Sequence, residues 1–200
     1  MGYPPEPWSL RGRMVVSVWM LPLALVPAVP AELHSAVRVV RLGSRALIGT
    51  AWVDYRPGGD LSYRELLAAV LMRAGLRPRV TITHIWVDSP ASRDGGRELW
   101  GIPKELASLE LTAAPGIARA DVASARPLVR VPIGFRCTQE LHGAAKTTAV
   151  RATARCGPAR VRWDIDGDGP LAFLRGRRPF LSLVADDFRM RFGGSRQAGS

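Results

Sequence analysis

Lysine is almost absent from this 200-residue chain, and asparagine is absent altogether. Lys104 and Lys146 stand against 26 arginines, whose guanidinium groups stay protonated at any working pH. An ε-amine differs because it can lose its proton when desolvated and then attack a carbonyl carbon to form a Schiff base. A position that keeps lysine in such a chain is a candidate nucleophile, although a codon bias toward arginine also explains the counts.

Cysteine and histidine are scarce as well. Two cysteines in the whole chain are too few for a disulfide scaffold, which favours a reduced, cytoplasmic protein. His34, His84 and His142 lack the spacing of zinc ligands, so we expect no metal site. The sequence also lacks phosphate-loop, dinucleotide-binding and Gly-x-Ser-x-Gly motifs, and we expect no cofactor.

Positive charge is plentiful but not clustered. The formal net charge is +11, which by itself is compatible with nucleic-acid binding. The arginines are mostly single residues in strand-like segments, and the densest group, Arg175, Arg177 and Arg178, falls at a predicted turn. Because no nucleic-acid motif accompanies the charge, we expect no nucleic-acid partner.

One apolar run resembles a targeting segment. Arg11 and Arg13 precede an uncharged run over 14–31 that ends in small residues, as a signal peptide does. Three prolines interrupt the run, which disfavours a helical signal segment and makes the run too broken to span a membrane. We predict a strand over 15–21 followed by a loop, and no membrane partner.

Strand patterns dominate the chain. We predict strands over 15–21, 36–41, 46–55, 80–87, 109–112, 128–135, 147–154, 160–165 and 180–192. Short spacing leaves little room for crossover helices, which favours a mainly β (α+β) fold with an antiparallel sheet or barrel and few short helices, one of them within 89–99. Residues 63–73 have helical spacing but lie between strands. We expect one domain over 1–192 and a flexible tail over 193–200.

The acidic stretch over 164–169 matches the first half of a calcium-binding loop. The acid that closes such a loop would fall at position 175, which is Arg175. Both flanks also read as strands, so the stretch favours a tight hairpin turn.

The surroundings of Lys104 distinguish it from Lys146. Pro103 restricts the backbone just before Lys104, and the neighbours Leu99, Trp100, Ile102 and Leu106 are apolar. Desolvation among such residues lowers the pKa of a lysine and frees its amine. The alternative is a lysine whose stem packs on Trp100 while its ammonium reaches water.

Residues 96–107, Gly-Arg-Glu-Leu-Trp-Gly-Ile-Pro-Lys-Glu-Leu-Ala, resemble the Gly-Arg-Glu…Pro-Lys-Lys-Leu signature of the acetoacetate decarboxylase family. Residues 3–13 resemble the N-terminal segment of that family, and 63–67 resemble its Tyr-x-Glu segment. The resemblance implies that Lys104 is the Schiff-base lysine, that Arg13 reaches the active site and that Glu65 is its glutamate. It also implies that 63–73 is a strand.

The implied reaction is decarboxylation of a small β-keto acid through an imine with Lys104. Arg13 would orient the substrate carboxylate, and Glu65 would position the substrate or move protons. Tyr63, Trp100 and Glu105 would contact the substrate. Glu105 departs from the family pattern, which has a second lysine there, and a carboxylate facing the amine would raise its pKa.

Two other functions remain open at this point. Relatives of the family that keep the lysine run aldol, dehydration or cyclisation reactions, so an imine-forming enzyme of secondary metabolism is one alternative. The other is a noncatalytic small-molecule-binding domain in which Lys104 pairs with an acidic ligand. For the enzyme we expect a small keto-acid substrate and a homo-oligomer.

Overall fold

The computed structural model describes residues 2–124 and 129–194. Most of them lie in strands, which confirms the mainly β fold. The strands are β1 Trp8–Pro22, β2 Arg38–Val39, β3 Arg41–Leu42, β4 Arg45–Tyr55, β5 Tyr63–Ala74, β6 Arg77–Val87, β7 Lys104–Leu106, β8 Ala113–Ala114, β9 Ala118–Ser124, β10 Val129–Leu141, β11 Ala144–Ile165 and β12 Leu181–Phe192. The helix α1 covers Pro90–Trp100, and single 3-10 turns cover Leu23–Leu25, Ala31–Leu33 and Ala172–Leu174. Most of the predicted tail, 195–200, lies outside the described residues.

Seven of these strands form a closed ring. Their order is β10-β6-β5-β4-β1-β12-β11, and pairing between β10 and β11 closes the sheet into a barrel. Neighbours in the ring are antiparallel except where β10 meets β6 at a single parallel bridge between Cys137 and Val80. Because alternate residues of a strand point to opposite faces, every ring strand sends one set of side chains into the barrel and one set outward.

Both faces of the barrel carry an apolar core. The inner core includes Tyr55, Tyr63, Ile85, Trp100 and Phe188. The outer core includes Trp19, Trp52, Leu66, Met72 and Leu174, and it lies under β8, β9 and the chain that follows β11. The ring is therefore covered on part of its outside, while its inside is left to form the cavity described below.

The strand predictions hold with three corrections, the first being that the run predicted over 36–41 contains only β2 and the start of β3. Residues 63–74 form β5, as the resemblance implied and the helical spacing did not. The strands predicted over 147–154 and 160–165 are one strand, because β11 passes Pro158 by exchanging its partner β12 for β9 at Ala159. Residues 109–112 are not a strand. The apolar run after Arg13 continues β1 to Pro22.

The acidic stretch is not a tight hairpin turn. β11 ends at Ile165 and β12 begins at Leu181, so the connection is long enough to include the 3-10 turn Ala172–Leu174. Leu171 and Leu174 of this connection are fully buried in the outer core, which explains why the chain does not reverse at once. Within the described residues, no three His, Cys, Asp or Glu side chains are grouped to hold a metal ion.

The helix α1 sets the approach to Lys104. Ser89 caps its start by accepting a hydrogen bond from the Ser92 backbone N–H at 3.2 Å. Gly101 ends it in the left-handed conformation, with φ +66°, and its N–H donates to the Arg97 carbonyl at 3.0 Å. No helix in 2–124 and 129–194 has the length and apolarity needed to cross a membrane.

Replacing Gly101 should destabilise the fold more than replacing a glycine of similar φ in open space. A Cβ on Gly101 would lie 1.8 Å from the Glu140 carbonyl oxygen, whereas one on Gly43, with φ +60°, would meet nothing within 4 Å. We expect Gly101→Ala to lower the free energy of unfolding by about 3 kcal/mol or more, and Gly43→Ala by about 1 kcal/mol. Denaturant unfolding would measure both, and equal losses would contradict the packing described here.

Candidate active site

Lys104 begins β7, which lies parallel to β6 with Lys104 opposite Ile85. Its side chain points into the barrel and is only 4% exposed. The Arg97 Nε holds the residue there by donating to the Lys104 carbonyl at 2.6 Å. Gly96, which has no side chain, leaves room for the lysine stem. A Cβ on Gly96 would lie 2.7 Å from the Lys104 Cδ, so the helix and the lysine approach as closely as they do because that residue is glycine.

The amine of Lys104 has a hydrogen-bond partner for each of its three protons. Nζ lies 2.9 Å from Glu65 Oε2, 2.9 Å from Ser92 Oγ and 3.2 Å from the Tyr63 hydroxyl. An ammonium group has three donors and no acceptor, so this arrangement satisfies it completely. The partners come from β5 and α1, and the site therefore exists only where β5, α1 and β7 meet.

Glu65 is held as firmly as the amine it faces. The carboxylate is 3% exposed, and its second oxygen, Oε1, accepts a hydrogen bond from the Tyr55 hydroxyl at 3.2 Å. Tyr55 lies opposite Tyr63 on the neighbouring strand, with ring centroids 4.4 Å apart. Because both hydroxyls belong to the inward faces of β4 and β5, the sheet itself orients the carboxylate toward the amine.

The pKa of Lys104 lies above that of an ordinary lysine. Burial lowers this pKa, but the Glu65 carboxylate and the Tyr63 hydroxyl raise it more. The contact with Glu65 therefore favours the ammonium form of Lys104 and opposes the lower pKa that burial alone would give. Burial also raises the pKa of Tyr55, with Glu65 adding to the shift, so this phenol stays protonated as a donor.

The pair faces a cavity of about 550 Å³ inside the barrel. Trp8 and Trp100 form part of its wall, meeting edge to face with centroids 4.7 Å apart. The Trp100 indole N–H donates to Glu6 Oε2 at 2.7 Å, which fixes the ring. Among the described residues, Glu65 and Lys104 are the charged members of the lining, so their interaction is screened little by other polar groups.

The structure brings four of the six predicted site residues together. Lys104, Glu65, Tyr63 and Trp100 all line the cavity. Arg13 is not among the described lining residues: it lies where the pairing of β1 with β12 shifts register, opposite Asp54 on β4. Its Nε is buried and has no hydrogen-bond partner among the described residues, so a contact with substrate stays a prediction.

Glu105 is the sixth residue, and it points away from the amine. It follows Lys104 in β7, lies opposite Trp86 and is exposed. The Glu105 carboxylate instead affects the outward-facing His84. Burial lowers the pKa of His84, and the negative charge of Glu105 offsets only part of that shift. Alternation along a strand thus removes Glu105 from the lining and with it the contact with substrate that the sequence predicted.

Sequence reasoning missed Ser92 and Tyr55. Ser92 is fully buried and shares one face of α1 with Gly95, Gly96 and Trp100, so the helical spacing of small residues before Trp100 could have indicated it. Tyr55 ends a predicted strand, and nothing in the sequence links it to Glu65. Its role follows from the pairing of Tyr55 with Tyr63 across β4 and β5.

A buried lysine in an apolar cavity, with a pKa shifted by its neighbours, is a candidate nucleophile for an enzyme that acts through an amine. The sequence profile of the family described as Acetoacetate decarboxylase (ADC) matches residues 3–162. The chain therefore belongs to the acetoacetate decarboxylase family, which is a family of enzymes. No curated protein matches the chain in sequence.

Solved structures share the fold at low sequence identity. The acetoacetate decarboxylase from Legionella pneumophila is 16% identical, with a TM-score of 0.63 over 96% of this chain and 87% of that chain. MppR, an enduracididine biosynthesis enzyme solved with the condensation product of pyruvate and imidazole 4-carboxaldehyde, is 15% identical, with a TM-score of 0.58 over 98% and 90%. An acetoacetate decarboxylase-like enzyme from Sphingomonas wittichii is 12% identical, with a TM-score of 0.58 over 96% and 92%.

Breaking the buried pair should cost more than removing it. Lys104→Met leaves the Glu65 carboxylate buried without its cation, and we expect a loss of about 3 to 5 kcal/mol in the free energy of unfolding near pH 8. The double variant Lys104→Met/Glu65→Leu leaves no uncompensated charge and should recover most of this loss. Denaturant unfolding of the two variants and the wild type would test this, and a double variant no more stable than Lys104→Met would contradict it.

The same pair predicts a loss of stability at alkaline pH. Because folding raises the pKa of Lys104, the pair contributes fully below the unfolded value of 10.5 and is lost as the pH rises through the folded value. Between about pH 8 and pH 11.5, the wild type should therefore lose stability relative to the double variant only above about pH 10.5.

Changing Glu105 should leave the chemistry of the amine unchanged. Since Glu105 lies on the outer face, Glu105→Gln should not shift the pH profile of reductive labelling of Lys104 by a keto acid and borohydride. Glu65→Gln should shift the profile to lower pH, because it removes the carboxylate that raises the pKa of Lys104. An equal shift in both variants would show that Glu105 acts on the amine.

Proposed function

We propose that this protein forms a Schiff base between Lys104 and the carbonyl group of a β-keto acid and then releases carbon dioxide. The observation that carries the proposal is the buried amine bonded to Glu65 at 2.9 Å in an apolar cavity. If Lys104 served only to bind an acidic ligand, the ligand would supply the carboxylate that pairs with the ammonium group. Here the protein supplies the carboxylate itself, which favours a reacting amine over a binding site.

Imine formation begins with a proton transfer. The Lys104 ammonium passes a proton to Glu65 along their hydrogen bond, which replaces an ion pair by two neutral groups. The amine nitrogen attacks the carbonyl carbon, and a proton moves from nitrogen to the former carbonyl oxygen. Glu65 then returns its proton to this hydroxyl, water leaves, and a protonated imine remains beside the Glu65 carboxylate.

Carbon dioxide leaves in the second stage. The electrons of the bond to the carboxylate carbon form a carbon–carbon double bond while the imine π electrons move to nitrogen. The products are a neutral enamine and carbon dioxide, so the positive imine and the negative carboxylate both lose their charge. An apolar cavity favours a step in which charge disappears, because it stabilises separated charges poorly.

Glu65 also serves the last stage. The enamine carbon takes a proton, which Glu65 delivers after it has accepted one from solvent. Water then adds to the protonated imine, and the ketone leaves as the Lys104 ammonium and the Glu65 carboxylate are restored. The cycle consumes one proton overall, since a keto acid anion becomes a neutral ketone and carbon dioxide. Tyr55 holds the carboxylate in place during these transfers.

A second candidate is an aldol-type condensation through the same imine. The imine of a keto acid can lose a proton from carbon instead of carbon dioxide, and the enamine can then attack a second carbonyl compound. The size of the cavity favours this possibility, because about 550 Å³ leaves room for a second reactant beside a small keto acid. MppR, which was solved with a condensation product, has the same fold.

Reductive trapping tests the imine. Incubation with acetoacetate and borohydride should add the mass of one carbonyl compound less one oxygen to the peptide that carries Lys104. Lys146, whose side chain is 40% exposed, is the natural control, because the chain has no further lysine. We expect Lys146→Arg to keep the label and Lys104→Arg to lose it. Label confined to Lys146 would refute the proposal.

Glu65→Gln should slow trapping by roughly 100-fold or more, the range over which a positioned acid or base contributes. Release of carbon dioxide, measured in the absence of borohydride, then separates the two candidates. Carbon dioxide in step with ketone formation supports decarboxylation. Trapping without carbon dioxide, together with incorporation of an added aldehyde, supports condensation instead.

A further inference from the structure

We infer that the substrate carries a long apolar substituent on its carbonyl group, so that the enzyme acts on keto acids or ketones of medium chain length. The inference rests on the proposed function and gives it a substrate class. The observation behind it is the extension of the apolar cavity far beyond the amine of Lys104. A keto acid of three or four carbons would occupy only the end of this space.

The length of the cavity follows from the strands that line it. Glu65, Leu67 and Ala69 are successive inward residues of β5, and all three line the cavity. At about 3.3 Å per residue, Ala69 lies roughly 13 Å along the strand from Glu65. The lining therefore continues well past the reacting groups, in the direction set by β5.

The neighbouring strand widens the cavity along the same path. Val53, Ala51 and Gly49 of β4 lie opposite Glu65, Leu67 and Ala69, and they too line the cavity. The three β4 side chains become smaller with distance from Glu65, which the Lys104 amine contacts. Small residues on these neighbouring strands leave open space where larger ones would fill the barrel with a packed core.

The chemistry of the lining selects an uncharged tail. Beyond Glu65 and Lys104, the described lining residues are apolar, together with hydroxyl groups and the thiols of Cys137 and Cys156. Burial raises the pKa of Cys137 to about 12, so this thiol adds no charge at neutral pH. A second carboxylate on the substrate would find no cation among these residues, and burying it would be unfavourable.

The volume points the same way. A cavity of about 550 Å³ falls in the range of pockets that enclose drug-sized ligands. Water in its apolar part would lack the polar partners that stabilise buried water. A methylene chain displaces such water, and each buried methylene strengthens binding by about fourfold. The affinity should therefore rise with chain length until the cavity is filled.

A homologous series of methyl ketones tests the inference. Acetone, 2-pentanone, 2-heptanone and 2-nonanone all present the same carbonyl group to Lys104. With borohydride, the ketone concentration for half-maximal labelling should fall by about fourfold per added methylene up to a chain that fills the cavity. A concentration that stays constant or rises with chain length would overturn the inference.

A variant that shortens the cavity should abolish the increase in apparent affinity with ketone chain length. Ala69→Leu places a larger side chain roughly 13 Å from Glu65, and we expect it to weaken labelling by 2-nonanone at least tenfold more than labelling by acetone. Ala145→Leu makes the same change at an exposed position of β11 outside the lining and is the matched control. Equal effects of the two variants on 2-nonanone would contradict the assignment.

Binding without chemistry separates this inference from the proposed function. In Lys104→Met no imine can form, yet 2-nonanone should still raise the melting temperature more than acetone does at equal concentration, because it binds only the folded state. If no carbonyl compound labels Lys104 but this stabilisation grows with chain length, the proposed function fails and the cavity assignment stands. If acetoacetate labels Lys104 and stabilisation does not grow, the apolar-tail inference fails alone.

Discussion

The buried pair of Lys104 and Glu65 is the interaction on which the rest of the site depends. Moving an ammonium and a carboxylate out of water costs several kcal/mol for each ion, and only close contact with further hydrogen bonds offsets that cost. Ser92, Tyr63 and Tyr55 supply those bonds. Four separate elements, α1, β4, β5 and β7, must therefore meet accurately, and the close approach of the lysine stem to Gly96 is one result of that requirement.

The barrel makes this arrangement possible because it separates two environments on the same strand. On β5, Glu65 points into the cavity, and the next residue, Leu66, packs in the outer core. On β7, the Lys104 side chain points inward to its hydrogen-bond partners, and the next residue, Glu105, is exposed to solvent. A closed ring also encloses space that an open sheet would expose, so one apolar lining serves two purposes: it strengthens the ion pair and leaves room for a substrate.

Much of the fold could be predicted because its signals are local. Alternating strands, turn residues and the cap of α1 can each be read from a few neighbouring residues. Local signals fail where contacts between distant parts of the chain decide the structure. Residues 63–74 have helical spacing because one face of β5 meets the outer core and the other meets the cavity, so both faces are apolar. β11 crosses Pro158 because its partner changes there, and burial of Leu171 and Leu174 lengthens the connection to β12.

By itself the sequence determined that Lys104 is one of two lysines in an arginine-rich chain and that its neighbours are apolar. It also determined that the segment around Lys104 resembles the acetoacetate decarboxylase family and that strands dominate. These conclusions need only residue identity and spacing along the chain. Tertiary structure alone decided that Glu65 lies 2.9 Å from the amine, that Ser92 and Tyr55 join it, and that Glu105 does not. The physical reason is that a buried amine takes its pKa from whatever the fold brings within hydrogen-bond distance, and chain order does not record those neighbours.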